Sequence, residues 1–339
     1  MAILISKKQK DTKTIDNSEN FDFKIRSLSC CSHRRRSVRL AHASWIYDDY
    51  VITGGLECRV KVWKIKNNNL ELLHTLKGHT MAVVSIAVSP KGLVKGHVNS
   101  KNRVFATVSL DSKILLWDLQ KGRKIKKINI ESADAWPLAF SSDGYFILSG
   151  RHNGNLTMTN IANNTVEKEM STNGKLALSL AWSDDGKHIA CGSVDGNVYI
   201  FGVFICDEHK LLHTLNLHKE TVRCVNFSFS PASHLLVSGS NDGFVKIFDT
   251  FEESTICSLK LNAWVMSVCF SPDNTRVAIA TADGAVTIAL AADLKVLKTF
   301  QEHVGKVCDV KFSSDGTKVI SVAKDNSINI YECPKLSFF

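Results

Sequence analysis

The chain has 339 residues, of which 44% are hydrophobic and 8% aromatic, so it is long and apolar enough to bury a large core. No apolar run reaches the ~18 residues that a membrane-crossing helix needs, and the apolar residues after Met1 are too few for a secretory signal core. The formal net charge is +9, but residues 1–40 carry most of the excess. We therefore expect a soluble intracellular protein with no membrane partner, whose main body is not a general nucleic-acid binder.

Ten cysteines raise the question of disulfides or a metal site. No two of them form a C-x-x-C pair, and several lie in apolar strand patterns, where a thiol behaves as a small hydrophobic side chain. This distribution indicates reduced cysteines in an intracellular protein. We predict no metal site, no cofactor and no small-molecule substrate.

The N-terminal region is predicted to hold an extension followed by one isolated strand. Residues 1–20 are polar and are expected to be disordered. Residues 21–28 alternate between apolar and polar side chains, as a β-strand does. The basic run at 33–39 could be a nuclear import signal or a nucleic-acid contact, although a solvated loop is the simpler interpretation. Residues 38–45 must then supply the inner strand of an irregular first repeat.

From residue 53 onward, one short pattern recurs seven times. A small residue precedes a tight turn with an acid or amide, and an alternating strand ends six positions after that turn residue, as in SLDSKILLW at 109–117. A period of about 40–45 residues, with D-G or D-N turns between short strands, is typical of a four-stranded propeller blade. A basic insertion at 90–103 explains the longest step. The turn residues are Glu57, Asp111, Asn153, Asp195, Asp242, Asp283 and Asp325.

We predict an all-β fold, a seven-bladed β-propeller built of four-stranded antiparallel blades. Too little chain follows Tyr331 to form a fourth strand in the last blade, and Pro334 would interrupt it. We therefore expect residues 21–28 to pair with the strand that contains Ile328 and Ile330, because an open edge would invite aggregation. The predicted organisation in chain order is a disordered extension (1–20), the propeller (21–334) and a C-terminal tail (335–339).

The most complete repeat contains His79, Thr107, Asp111 and Trp117, which a blade would bring together. We predict a structural network that runs from the indole N–H through the hydroxyl and the imidazole to the turn carboxylate. A catalytic His79–Asp111 dyad is the alternative, but a satisfied network accounts for the same residues. The third and sixth repeats lack the network and are expected to be the least rigid. Two others keep part of it: His218, Ser238 and Asp242 in the fifth, and His303, Ser321 and Asp325 in the seventh.

A propeller has no chemistry of its own, so its function is expected on its surfaces. Residues that enter the inner strands, and residues just before the turn acids, are predicted to surround the mouth of the central channel. Trp and Arg dominate interaction hot spots, which favours a protein-binding patch there over simple packing of the two Trp. The candidate partner-binding residues are Asp134, Trp136, His152, Leu178, Arg223, Asn241, Trp264, Met266 and Lys324.

These motifs resemble the WD-repeat family, through GH at 78–79, the turn acids and WD at 117–118. Within that family, the runs DAWPLAF at 134–140 and INIYECP at 328–334 are similar to the WD-repeat subunit of the superkiller complex. The resemblance spans about residues 50–334. The chain departs from the pattern in its basic N-terminal region, its first repeat and the sixth repeat, where ADGAVTIAL replaces a WD ending.

The resemblance implies a non-catalytic interaction scaffold rather than an enzyme. It implies, as partners, the tetratricopeptide-repeat scaffold protein and the RNA helicase of the superkiller complex, which feeds RNA to the cytoplasmic exosome for 3′–5′ mRNA decay. In animals it also implies the RNA-polymerase-II-associated factor complex, and hence a nuclear as well as a cytoplasmic location. A short partner motif with Gln and Arg would bind the upper surface, where Trp136 matches the family.

The alternative is a propeller that binds RNA or histone and chromatin partners directly. Such a surface would need a strongly basic channel mouth. Near the predicted mouth only Arg223, Lys306 and Lys324 supply positive charge. This small number does not favour direct nucleic-acid binding.

Overall fold

Short strands account for most of the residues that the structure describes. The computed structural model describes residues 25–28, 43–47, 49–66, 69–90, 103–130, 137–203, 210–230 and 234–335. Within these ranges there are 28 strands, and no helix that could span a membrane. The extension 1–20, the basic run 33–39 and nearly all of the insertion at 90–103 lie outside the described residues.

The strands form seven sheets of four strands each. Blade 1 consists of β2 (Ala43–Tyr47), β3 (Tyr50–Gly54), β4 (Arg59–Lys66) and β5 (Asn69–Lys77). Blade 2 consists of β6 (Val83–Val88), β7 (Val104–Ser109), β8 (Lys113–Asp118) and β9 (Arg123–Asn129). Blade 3 consists of β10 (Leu138–Phe140), β11 (Phe146–Gly150), β12 (Asn155–Asn160) and β13 (Val166–Ser171). Blade 4 consists of β14 (Ala177–Trp182), β15 (His188–Ser193), β16 (Val198–Gly202) and β17 (Leu211–Leu215).

The remaining three blades continue the same order. Blade 5 consists of β18 (Val222–Phe227), β19 (Leu235–Ser240), β20 (Phe244–Asp249) and β21 (Ser254–Lys260). Blade 6 consists of β22 (Val265–Phe270), β23 (Arg276–Thr281), β24 (Val286–Leu290) and β25 (Val296–Phe300). Blade 7 consists of β26 (Val307–Phe312), β27 (Lys318–Ala323), β28 (Ile328–Glu332) and β1 (Ile25–Leu28). The prediction of a seven-bladed all-β propeller is confirmed.

Burial on both faces explains the composition of the middle strands. Each sheet is packed between two neighbouring sheets, so its second and third strands read as apolar runs rather than as alternating patterns. All six residues of β7 and of β23 are buried. The core consequently lies between blades; for example, Val104 of blade 2 packs in one cluster with Leu138 and Ile147 of blade 3.

The ring closes through a strand from the start of the chain. β1 pairs antiparallel with β28, with Ile25 opposite Tyr331 and Leu28 opposite Ile328, and this adds the fourth strand to blade 7. The predicted closure is therefore confirmed over residues 25–28, while residues 21–24 lie outside the described part of the chain. The inner strand predicted at 38–45 corresponds to β2, which begins at Ala43.

A buried arginine joins the end of the chain to blade 6. Arg276, at the start of β23, has no exposed surface. Its Nη1 donates to the carbonyl oxygens of Cys333 at 3.0 Å and Pro334 at 2.6 Å. Its Nη2 donates to Gly316 O and to Asp273 Oδ2, both at 3.1 Å. One guanidinium thus fixes the segment that follows β28 against two loops, which offsets the cost of burying its charge.

Candidate functional site

The predicted network of blade 2 is a continuous chain of hydrogen bonds. Trp117 Nε1 donates to Thr107 Oγ1 at 2.8 Å, and this hydroxyl lies 2.8 Å from His79 Nε2. On the other side of the ring, His79 Nδ1 lies 3.1 Å from Asp111 Oδ1, and the amide of Thr80 also donates to that carboxylate. The ionised carboxylate of Asp111 can only accept, so the ring proton of the neutral imidazole lies on Nδ1, and Nε2 accepts from the Thr107 hydroxyl. Both nitrogens of His79 are engaged, and His79, Thr107 and Trp117 are all buried, so this part of the network lies away from the surface.

Two further blades contain a shorter version of this chain. In each, Nε2 of a histidine lies 2.5–2.8 Å from a serine hydroxyl and Nδ1 lies 3.1–3.2 Å from a turn carboxylate. Phe248 replaces the indole donor in blade 5, whereas Tyr331 O–H lies 3.4 Å from the serine of blade 7. The members are His218, Ser238 and Asp242 in blade 5, and His303, Ser321 and Asp325 in blade 7.

Burial and hydrogen bonding determine the charge states of the histidine and aspartate side chains in these three hydrogen-bond networks. It lowers the pKa of each histidine, and the nearby aspartate opposes this effect without cancelling it. Burial also acts to raise the pKa of each aspartate, but hydrogen bonds from backbone amides and side chains outweigh it and leave the pKa below its usual value. The stable form at neutral pH is therefore a neutral imidazole beside an ionised carboxylate.

A repeated backbone hydrogen bond links the residues that are predicted to surround the mouth of the central channel. In five blades, the amide of the residue just before the turn acid donates to the carbonyl of the residue that leads into the inner strand. The two sets of residues that the sequence predicts at the mouth are therefore direct neighbours. The donor–acceptor pairs are Leu110–Ala82, Val194–Leu176, Asn241–Thr221, Ala282–Trp264 and Lys324–Lys306.

The inner strands of these same five blades carry a β-bulge at their second residue. The register with the next strand shifts across this residue, which leaves it without a partner in the ladder. A bulge bends the strand and changes the direction of its side chain. Four of the five residues are apolar, as are many other residues of the inner strands, so residue type alone does not mark the bulge: they are Val84, Leu178, Arg223, Met266 and Cys308.

One part of the mouth gathers positive charge around an exposed tryptophan. Trp264 is 49% exposed. The Cζ atom of Arg223 and the Nζ atom of Lys306 each lie 5.8 Å from the centroid of its ring, within cation–π range. Arg223 Nε donates to Asn241 Oδ1 at 2.6 Å, and Lys324 completes the group beside Lys306. These five residues, from blades 5, 6 and 7, are called the Trp264 corner below.

The cations of the Trp264 corner are close enough to repel one another. Burial lowers the pKa of Lys306, and the charges of Arg223 and Lys324 lower it further. Among the described residues, no carboxylate forms an ion pair with any of these three side chains. The Trp264 corner is therefore a positively charged surface without an internal counter-charge in the described part of the chain.

The other candidate residues are distributed around the ring. His152 is exposed in a turn of blade 3, and Leu178 is half-buried in blade 4. Met266 is buried in β22, so it offers the mouth little surface. Asp134 and Trp136 lie outside the described residues, and their role at the mouth stays a prediction.

The buried thiols contribute to packing. Burial raises the pKa of Cys224 to about 12 and that of Cys269 to about 11, which leaves both protonated at neutral pH. Over the ranges given above, no group of three or more His, Cys, Asp or Glu side chains is arranged to hold a metal ion.

The chain matches a family model along most of the ring. The model described as "WD domain, G-beta repeat" matches residues 70–118, 169–201, 209–249, 254–288 and 294–332. The chain belongs to the WD40 repeat family. Each matched segment begins near the outer strand of one blade and ends in or near the third strand of the next, so the sequence repeat is offset from the structural blade. The match omits most of blade 3, where Thr159 stands in place of the terminal aromatic residue.

Two relatives extend this similarity beyond single repeats. The chain is 35% identical to the WD repeat-containing protein SL1-17 of Schistosoma mansoni over 287 residues, which cover 84% of this chain and 90% of that protein. It is 29% identical to the WD repeat-containing protein VIP3 of Arabidopsis thaliana over 242 residues, which cover 67% of this chain and 71% of that protein. The similarity therefore extends over several consecutive blades of the WD40 ring.

Proposed function

We propose that this chain is a non-catalytic interaction scaffold of the superkiller complex, in which it supports 3′–5′ mRNA decay by the exosome. Its expected partners there are the tetratricopeptide-repeat scaffold protein and the RNA helicase. We also propose a second role in the RNA-polymerase-II-associated factor complex during transcription elongation, and hence a location in both cytoplasm and nucleus. Support comes from the runs at 134–140 and 328–334, which resemble the WD-repeat subunit of the superkiller complex.

The observation that carries a scaffold role is the set of large apolar side chains that remain exposed on the upper face. The upper face is the one that bears the turn acids and the starts of the inner strands. Large apolar side chains that remain exposed on a folded protein mark interaction surfaces when they are grouped. On the upper face the exposed ones are Leu56, Met81, Val194, Trp264 and Val304, with exposed fractions from 37% to 97%.

Affinity purification of the tagged chain, followed by mass spectrometry, tests this proposal. We expect recovery of the tetratricopeptide-repeat protein and the helicase from cytoplasm, and of polymerase-associated factors from nuclei. Trp136→Ala should weaken capture of the tetratricopeptide-repeat protein. Leu73→Ala, at an exposed position on the outer strand of blade 1, is the matched control and should not. Recovery of neither complex would contradict the proposal, and full capture by a folded Trp136→Ala variant would contradict the assignment of Trp136.

Direct binding of RNA or of a histone is the second candidate. The Trp264 corner favours RNA, because an exposed aromatic ring beside cations can stack a base near a phosphate. Three phosphate contacts would give an affinity for a single strand that falls with salt at a log–log slope of about −2. A slope of this size for an oligonucleotide and the isolated chain would favour this candidate.

A further inference from the structure

We propose that the Trp264 corner binds an acidic segment of a protein partner, with carboxylates against Arg223, Lys306 and Lys324 and an apolar side chain against the indole of Trp264. This inference rests on the proposed scaffold role and adds the chemistry of the partner segment. An acidic segment at the Trp264 corner would occupy a different part of the mouth from a basic motif such as Gln-Arg.

The geometry places two cations beside one ring. Arg223 Cζ and Lys306 Nζ are each 5.8 Å from the centroid of Trp264, whose side chain is about half exposed. Trp264 is the most exposed of the tryptophans whose side chains the structure describes, since Trp63 and Trp117 are buried and Trp182 is half-buried. A ligand that covers the ring would therefore meet positive charge on more than one side. Exposed Trp and Arg side chains in such a group are the usual anchors of a protein interface.

The guanidinium of Arg223 is held in place by one hydrogen bond, and its two terminal nitrogens are left without a hydrogen-bond acceptor among the described residues. Its position at the bulge of β18 sets the direction of the side chain, and the bond from Nε to Asn241 Oδ1 at 2.6 Å fixes the guanidinium. Its two terminal nitrogens make no hydrogen bond to any described residue. A carboxylate is the group that two parallel N–H donors of arginine fit best in a peptide. Because Arg223 is already ordered, less conformational entropy is lost when it binds.

The charge of the Trp264 corner calls for an anion from outside the described chain. Lys306 is half-buried, and burial together with Arg223 and Lys324 makes its charged form less favourable. A carboxylate between these side chains would reverse that effect. The arginine of a Gln-Arg motif would instead be repelled here, so such a motif must bind another part of the mouth.

A short acidic peptide fits this surface better than RNA does. The cations number three and surround a single ring, whereas proteins that bind single strands follow the phosphate backbone with longer basic grooves and several aromatic side chains. The Asn241 amide holds the Arg223 guanidinium, which suits a carboxylate. The indole of Trp264 offers a surface for an apolar side chain. RNA is accordingly a competing outcome of the test.

The experiment uses two labelled 12-residue peptides and fluorescence anisotropy with the full chain. One peptide carries four Glu residues around a central Phe, and its twin carries Gln in place of each Glu. We expect the twin to bind at least about tenfold more weakly at 0.15 M salt. Lys306→Glu and Lys324→Glu should each weaken binding of the acidic peptide about tenfold, because a contact becomes a repulsion. Lys298→Glu makes the same charge change on the exposed face of β25 and should alter the affinity less than twofold.

Several results would overturn the proposal. Equal binding of the two peptides, or unchanged affinity in both charge-reversal variants, would exclude an acidic ligand at the Trp264 corner. Tighter binding of a labelled 12-nucleotide uridine strand, lost in Lys306→Glu, would assign the surface to RNA instead. Trp264→Phe keeps an aromatic ring and serves as a folded reference, expected to retain most of the affinity.

Failure of this inference can be told apart from failure of the proposed scaffold role. If the chain captures the tetratricopeptide-repeat protein but not the acidic peptide, the scaffold role stands and the acidic site is wrong. If it binds the acidic peptide in the expected pattern but captures no subunit of either complex, the site stands and the assignment to those complexes is wrong.

Discussion

At the scale of single residues, the buried histidines of blades 2, 5 and 7 tie the stability of the ring to pH. His79, His218 and His303 each have a lowered pKa because burial disfavours the charged ring. In the unfolded chain a histidine titrates near pH 6.5. Below that pH the unfolded state therefore binds more protons than the folded state, and stability falls as pH decreases.

We predict that the free energy of unfolding is nearly constant between about pH 7 and 8 and decreases as the pH falls from about 6.5 towards the lowered pKa values of the histidines. The aspartate partners add a second loss at more acidic pH, since their pKa values are also lowered. Urea unfolding at a series of pH values measures both effects. His79→Gln should reduce the change in the free energy of unfolding between pH 7 and 5. A rise in stability on acidification would contradict this assignment of charge states.

The network of blade 2 could be predicted at this scale, because its four residue types recur at fixed spacings in several repeats. The Trp264 corner could be predicted only in part. Arg223 and Lys306 are far apart in sequence, and their convergence on one ring depends on how neighbouring blades pack and on a bulge that no residue type indicates. The sequence predicts which residues reach the mouth but not which of them touch.

At the scale of elements, β1 completes the last blade, and the Arg276 contacts hold that blade to blade 6. Without β1, the edge of β28 would be left unpaired. Without Arg276, the carbonyls of Cys333, Pro334 and Gly316 would lose their donor. The strand order of the closure could be predicted from the alternating segment at 21–28. The arginine contacts could not, since nothing local distinguishes Arg276 from a surface arginine.

We predict that deletion of residues 1–30 lowers the midpoint of thermal unfolding markedly and promotes aggregation, because it exposes the edge of β28. Deletion of residues 1–20 is the matched control and should leave the midpoint within a degree or two, as expected for the predicted extension. Differential scanning calorimetry with light scattering measures both variants. Equal midpoints for the two deletions would show that β1 contributes little to closure.

We predict that Arg276→Met destabilises the protein by about 3–5 kcal/mol, because buried carbonyl groups and the Asp273 carboxylate lose a charged donor. Arg59→Met, at an exposed position in β4, should cost less than about 0.5 kcal/mol. Urea denaturation gives both values. A small cost at Arg276 would mean that water or a shift of the chain end replaces its hydrogen bonds.

At the scale of the whole molecule, the seven blades share the same strand arrangement but differ in the side-chain interactions that stabilise them. Period and turn chemistry allowed the number of blades and their order to be predicted, since each repeat is one hairpin meander. The tight packing between successive blades also depends on particular residues. Gly284, with φ +94°, brings the turn of blade 6 so close to the loop before blade 7 that a Cβ would collide with the carbonyl of His303.

We predict that blades 3 and 6 exchange their amide hydrogens faster than blades 2, 5 and 7. Their third strands carry Thr159 and Ala289 in place of the terminal aromatic residue, and they have no histidine–aspartate chain to tie the inner loop to the turn. A loss of about 1.4 kcal/mol in local opening free energy corresponds to tenfold faster exchange. Hydrogen–deuterium exchange with mass spectrometry resolves the blades by peptide. Uniform protection in all seven would contradict this prediction.

The pairing of β1 with β28 has a consequence for biosynthesis. Leu28 and Ile328 are partners 300 residues apart in sequence, so β1 has no partner strand until β28 has been translated. At ordinary elongation rates of ~5–20 residues per second, this delay is about 15–60 s. During that interval the nascent chain carries β1 without its partner strand and an incomplete arc of blades. Folding of the nascent chain should therefore depend on chaperones. A protein fused ahead of β1 should lower the yield of the folded ring.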